Sequence, residues 1–174
     1  ALYQQTPVAD DGDYFKREDI KYYEPQDIDI DKMRFYTAWD LAIGQKEGND
    51  YSVGLTVGVS QDDIIYVVDM VRGRFDGMEL VENILDNFQL WRPAMVGIER
   101  GHIDMAIGPF LEKRIRERGL FDCYVEPLKT GRRDKEARGR SIQGRLNQGL
   151  VKFPSHEPWT KTLVNEMLRF PNGK

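Results

Sequence analysis

Two short runs decide the reading of this chain: Arg34-Phe35-Tyr36-Thr37-Ala38-Trp39-Asp40 and Ala94-Met95-Val96-Gly97-Ile98-Glu99. Both have the apolar, aromatic or β-branched character of a strand, and both finish on a carboxylate. A charge at the end of a buried strand is costly unless it pairs, reaches solvent or binds a cation. If the two strands lie side by side and parallel, both carboxylates emerge at one edge of the sheet and form a shared anionic pocket. Hard divalent cations such as Mg2+ or Mn2+ take oxygen ligands of this kind, and two ions about 3.5–4 Å apart can clamp the attacking and leaving oxygens of a phosphodiester. The pattern points to two-metal phosphodiester hydrolysis, with Asp40 and Glu99 as catalytic metal ligands. It equally admits a plainer reading, in which Asp40 opens a turn and Glu99 pairs with Arg100 or a neighbouring lysine. Asp50 reaches the same edge if the second strand starts where the first ends, and after Gly48-Asn49 it also suits a turn. Asp104 either approaches the pocket from a following helix or caps that helix.

Working outward, Tyr51 to Val59 alternates, with Val53, Leu55, Val57 and Val59 on one face, and after a turn at Ser60 to Asp63 a third strand runs Ile64 to Val68. Short turns between these three strands predict an antiparallel meander. Asp76 is placed to cap a helix with Leu80, Val81, Ile84, Leu85 and Phe88 at helical spacing, stopped by Arg92-Pro93. A second helix is predicted over Ile103 to Arg118, with a cationic last turn and Gly119 as its cap. A strand at Phe121 to Val125 follows, then a basic helix over Asp134 to Gln148, a short strand at Leu150 to Phe153 and a helix over Pro158 to Phe170. Up to the basic helix the order is β-β-β-α-β-α-β-α, which predicts an α/β mixed sheet with helices on both faces.

Before Arg34 the pattern fails. Residues 1–31 show no sustained period, are interrupted by Pro7, Gly12 and Pro25, and carry nine acidic against three basic side chains, a net −6. They read as an acidic extended arm or inter-domain connection, and 32–174 as the folded domain. With 174 residues, 40% of them hydrophobic, the chain suffices for one sizeable core and not for two ordinary domains. No run approaches the roughly 18 apolar residues of a membrane span, and the acidic start lacks the features of a signal peptide, so a soluble, non-secreted protein is expected. The first residue is Ala rather than Met, which fits a fragment of something longer.

The total charge of −4 argues against a phosphate-binding surface only if it is spread evenly. Residues 32–174 carry +2, and Lys129, Arg132, Arg133, Lys135, Arg138, Arg140 and Arg145 stand against only Asp134 and Glu136. Lys129, Arg132, Arg133, Lys135 and Arg138 are therefore candidates for DNA phosphate contact, against the alternative of a solvated helix face. Gly139 to Leu146 superficially resembles a nucleotide phosphate loop but lacks its Lys and Ser/Thr and follows no strand, so no ATPase site is expected. His102 and His156 have no partner at ligand spacing, and Cys123 in an apolar run suits a small core residue better than a nucleophile.

These pieces together resemble a known family, the C-terminal nuclease domain of the large terminase subunit, the DNA-packaging motor of tailed bacteriophages. Ala1-Leu2-Tyr3-Gln4-Gln5-Thr6-Pro7 with Gly12-Asp13-Tyr14-Phe15 resembles the family's connection from motor to nuclease. Tyr36 to Asp40 is similar to its first catalytic strand, Asn49 to Ser52 to the start of the second, and Val96-Gly97-Ile98-Glu99 to the strand bearing the second acid. Asp134 to Arg138 followed by Gly149 to Pro154 is similar to its basic helix and following strand.

The resemblance implies a ribonuclease-H-like fold that cuts double-stranded DNA with Mg2+ or Mn2+ before and after packaging, in the host cell cytoplasm. In the full-length protein it implies an ATPase domain, the small terminase subunit and the portal as partners. It places a third catalytic Asp just after a Phe-Pro-x-Gly stretch, which here is Phe170-Pro171-Asn172-Gly173, so that ligand is expected beyond Lys174 and the domain is expected to lack its C-terminal end. A protein ending at Lys174 would then bind metal poorly and cut weakly. Other readings of the same residues are a ribonuclease-H-like resolvase or transposase nuclease, and a non-catalytic domain that docks on DNA or the portal.

Overall fold

The computed structural model describes residues 14–42, 51–102, 107–129 and 134–171. In chain order the elements are β1 (Lys21–Tyr23), β2 (Arg34–Asp40), β3 (Ser52–Val59), β4 (Ile65–Gly73), α1 (Gly77–Trp91), β5 (Met95–Glu99), the single turn α2 (Arg100–His102), α3 (Gly108–Glu117), β6 (Val125–Leu128), α4 (Asp134–Asn147), β7 (Val151–Pro154) and α5 (Thr160–Leu168). The seven strands make one mixed sheet in the order β1-β7-β4-β3-β2-β5-β6. The antiparallel meander β2-β3-β4 is its centre. β5 adds in parallel beside β2 and β6 beside β5, while β7 adds in parallel beside β4.

Both faces are covered, by two separate apolar clusters. Leu80, Val81, Ile84, Leu85 and Phe88 of α1 and Leu111 of α3 pack with Trp39, Val96 and Ile98 on one face. Leu146, Val164 and Leu168 pack with Val67, Val151 and Phe153 on the other. Helix α1 starts where Asp76 accepts from the backbone N–H groups of Met78 and Glu79 and Glu79 returns a bond to the Asp76 N–H, a complete capping box. It ends at Arg92 in the left-handed region, before Pro93. The cationic end of α3 is held against α1, with Arg114 paired to Glu82 and Arg118 to Glu82 and Asp86.

Three elements differ from the sequence expectation. The strand expected at Phe121 to Val125 lies instead at Val125–Leu128, and Phe121 and Tyr124 are exposed. Pro127 weakens that run as a strand, but β6 is at the edge of the sheet, where a residue without an N–H is tolerated. β4 continues past Val68 to Gly73, because Val68 is an unpaired bulge: Val57 pairs with Val67 and Thr56 with Asp69. Within the segment preceding Arg34, β1 pairs with β7, and Phe15 and Ile20 enter the second core cluster. Tyr23 fastens this strand by donating to the Val67 carbonyl at 2.8 Å.

The alternating face of β3 faces away from the tightest packing. Val53, Leu55, Val57 and Val59 are half-buried, whereas Ser52, Gly54, Thr56 and Gly58 are buried. Gly54 is under the Trp39 ring, and Thr56 joins Thr37 and Asn87 in a buried hydrogen-bonded group that continues from the Asn87 amide to Asp69 and from Asp69 to the Trp91 indole. A Cβ on Gly54 would sit 2.6 Å from the Trp39 ring, which is fully packed and cannot withdraw. Gly54→Ala should therefore destabilise the protein by about 1–3 kcal/mol in denaturant unfolding. Gly144→Ala, on α4 with open space around it, should raise stability by about 0.5–1 kcal/mol.

Candidate active site

The site is a consequence of strand register. β2 and β5 are parallel, with Tyr36 beside Met95 and Trp39 beside Ile98. Carried one residue further, this register sets Asp40 beside Glu99 at the ends of neighbouring strands, about 4.8 Å apart along the hydrogen-bonding direction. Because side chains alternate along a strand, Trp39 and Ile98 point into the α1 core while Asp40 and Glu99 point to the opposite face, the one α5 covers. Asp40 also lies opposite Val53 of β3, and Glu99 opposite Leu128 of β6.

The two carboxylates open into a cleft of about 550 Å³. Its apolar floor is Ala38, Val53, Leu55 and Leu128; its charged wall adds Arg138 from α4 and Glu166 from α5. The first part of the half-buried stripe of β3, Val53 and Leu55, thus belongs to the floor of the cleft. Asp40 is exposed and Glu99 half-buried, so hydrated ions can approach both. Their donor set is two hard carboxylate oxygens at adjacent strand ends, which fits a divalent cation of the Mg2+ or Mn2+ type and offers nothing to a thiophilic metal. Among the described residues, no group of three or more His, Cys, Asp or Glu stands close enough together to hold a metal ion.

Of the other residues singled out in the sequence, Arg138 is brought to the cleft and Lys129 is exposed just after β6. Asp50, Asp104, Arg132 and Arg133 lie outside the described residues, as does the side chain of Lys135. Arg145 does not join a basic face: it pairs with Asp63 at 3.3 Å. His156 lies beside Glu157 at 3.5 Å and is not among the residues that line the cleft. Sequence reasoning missed Glu166. The burial of Thr160, Val164 and Leu168 fixes which side of α5 faces the sheet, and Glu166 follows as a rim residue only once that packing is known.

Comparison with solved structures came out consistently. The large terminase nuclease of thermophilic phage G20c, solved with bound magnesium, is similar with a TM-score of 0.56 at 16% identity, covering 86% of this chain and 67% of that one. The Thermus phage P74-26 large terminase nuclease domain gives 0.55 at 13% identity, covering 87% and 74%. The fold is that of a phage large-terminase nuclease domain. The HK97 bacteriophage large terminase gives 0.55 at 14% identity, covering 74% of this chain and 31% of that one. The mixed seven-stranded sheet with helices on both faces agrees with the ribonuclease-H-like α/β fold expected from the sequence. No protein-family model matches the sequence, and no curated protein is similar to it.

The single cysteine, Cys123, is half-buried and is not among the residues that line the cleft. Burial, with a smaller contribution from Asp122, pushes the Cys123 thiol up to about 11, and it packs against the α1 core. At neutral pH its thiolate population is then about a hundredfold below that of a thiol at 9. Alkylation by iodoacetamide at pH 8 should be slower than that of a free thiol by at least that factor, and should reach the free-thiol rate only on unfolding.

Proposed function

We propose that this chain is the nuclease part of a phage DNA-packaging motor, and that it hydrolyses phosphodiesters of double-stranded DNA at the Asp40–Glu99 cleft. The observation that supports this reading is the parallel register that sets two hard carboxylates side by side on a terminase-nuclease sheet. The large terminase nuclease of phage G20c was solved with bound magnesium, cobalt and zinc, consistent with a site for a divalent ion. Here Asp40 and Glu99 would hold Mg2+ or Mn2+, with Asp50 as a further ligand. Bound divalent ions supply Lewis acidity towards the phosphate and lower the pKa of water.

The chain's own residues do the rest. Two like charges on neighbouring strands repel when no cation is bound, and this repulsion is what a divalent ion relieves. The rigid ends of β2 and β5 fix the carboxylate separation, because each strand is hydrogen-bonded on both sides. Arg138 places a guanidinium on the same wall, where it can take a phosphate oxygen in a bidentate pair and hold the backbone against the carboxylates. Leu128, Leu55 and Val53 give a floor without hydrogen-bonding groups of its own to compete for the phosphate. Lys129, exposed just after β6, would add positive charge for duplex DNA, and by sequence Arg132, Arg133 and Lys135 would add more.

The natural assay is plasmid cleavage in Mg2+ or Mn2+ by the complete gene product. Asp40→Ala and Glu99→Ala should each lower the cleavage rate by at least about a hundredfold while the thermal transition stays cooperative. Manganese-dependent cutting that persists in both variants would sink the assignment of these residues. Arg138→Glu should weaken DNA binding in the absence of divalent ions and make the dependence of log affinity on log salt shallower. Binding that does not change would return α4 to the role of a solvated helix.

A further inference from the structure

The bulge at Val68 has an effect at the far end of β4. Before it, Val67 lies on the α5 face, opposite Val57; after it, Asp69 and Val71 lie on the α1 face, opposite Thr56 and Gly54. Arg72 is therefore turned onto the cleft face, opposite Val53, which is itself opposite Asp40. Two strand spacings, about 10 Å, separate Arg72 from Asp40. Along a duplex axis that distance covers some three phosphates of one strand.

At this position two guanidiniums converge on one ring. Arg72 lies 3.7 Å and Arg74 4.7 Å from the centroid of Tyr51, which is 41% exposed. Stacking on an aromatic face fixes the plane of a guanidinium and leaves its N–H edge to donate. Arg72 donates to Glu166 at 3.4 Å, and Glu166 belongs to the cleft wall. Among the described residues, Arg74 has no carboxylate partner. By contrast, Arg114 and Arg118 between α1 and α3 are both paired with acidic side chains. Among the described residues, two cations held together with one carboxylate between them leave a net positive, donor-rich patch beside an anionic cleft.

We propose that Tyr51, Arg72 and Arg74 form a DNA-backbone contact on the β4 side of the cleft, and that Glu166 occupies Arg72 until a phosphate displaces it. This rests on the nuclease reading and adds to it a second anchoring point besides Arg138. A duplex strand gripped at both points is held beside Asp40 and Glu99. The bulge is what makes this possible, since without it Arg72 would point towards α1.

The test is anisotropy of a fluorescent duplex with the complete gene product, in EDTA so that no cleavage occurs, over a series of salt concentrations. Arg72→Ala and Arg74→Ala should each weaken binding about five- to tenfold, and each should make the log–log salt slope shallower by about 0.9. Glu166→Gln should tighten binding, and that gain should vanish in the Arg72→Ala background, a coupling that a general change of charge would not produce. Unaltered affinity and slope in both arginine variants would overturn the contact, and a Glu166→Gln gain that survives without Arg72 would overturn the displacement by phosphate. Metal-dependent cutting by the unsubstituted protein alongside unaltered arginine variants overturns this inference and leaves the nuclease reading standing. Absence of any duplex binding or cutting by the unsubstituted protein overturns both.

Discussion

The pairing of β2 with β5 is the constraint on which the rest of the molecule depends. Parallel strands cannot be joined by a tight turn, so the chain must leave β2, complete the meander, cross over through α1 and return. That path places the amphipathic helix α1 against one face and fixes β5 in register with β2. A one-residue slip would exchange the faces of β5, burying Glu99 under α1 and turning Ile98 into the cleft. The apolar packing of Ile98 and Val96 on α1 opposes that slip, and so the core and the site are specified by the same register.

The two faces of the sheet carry different work. The α1 face is closed by Trp39 lying over Gly54, and by the Thr37–Thr56–Asn87–Asp69 hydrogen bonds that satisfy buried polar groups in full view of apolar side chains. Such a group is costly to disturb, because each lost partner leaves a desolvated donor or acceptor. The α5 face is packed by α5 and Leu146 at the β7 end and is open towards β2, β5 and β6. A cleft can exist on that side only because the opposite side already holds the sheet rigid.

Charge is distributed in keeping with this division. The acidic groups of α1 are paired with Arg114 and Arg118, and Asp63 with Arg145, so these ions fasten elements to one another. Exposed pairs of this kind add little stability individually. The ions around the cleft differ in arrangement: Asp40, Glu99 and Glu166 share it with Arg138, and Arg72 reaches Glu166 from the neighbouring strand.

How much of this was legible differs from residue to residue. Asp40 and Glu99 stood out in the sequence because each ends an apolar run, and the runs of β2, β3 and α1 were readable from period and capping alone, as local backbone and side-chain preferences set them. β6 was misplaced because an exposed Phe121 and Tyr124 mimic a strand, while Pro127 in a true edge strand argues against one. The end of β4 was lost at Val68, since a bulge breaks the alternation on which strand reading relies. Arg72 and Glu166 come from segments 94 residues apart, and no local pattern can bring them together. The sequence by itself determined which residues are apolar, where helices cap and which strands end in acid, because those depend on neighbours in the chain. Register, the bulge and the side of the sheet that α5 covers were decided only by the tertiary structure, because they depend on contacts between segments that the chain order leaves open.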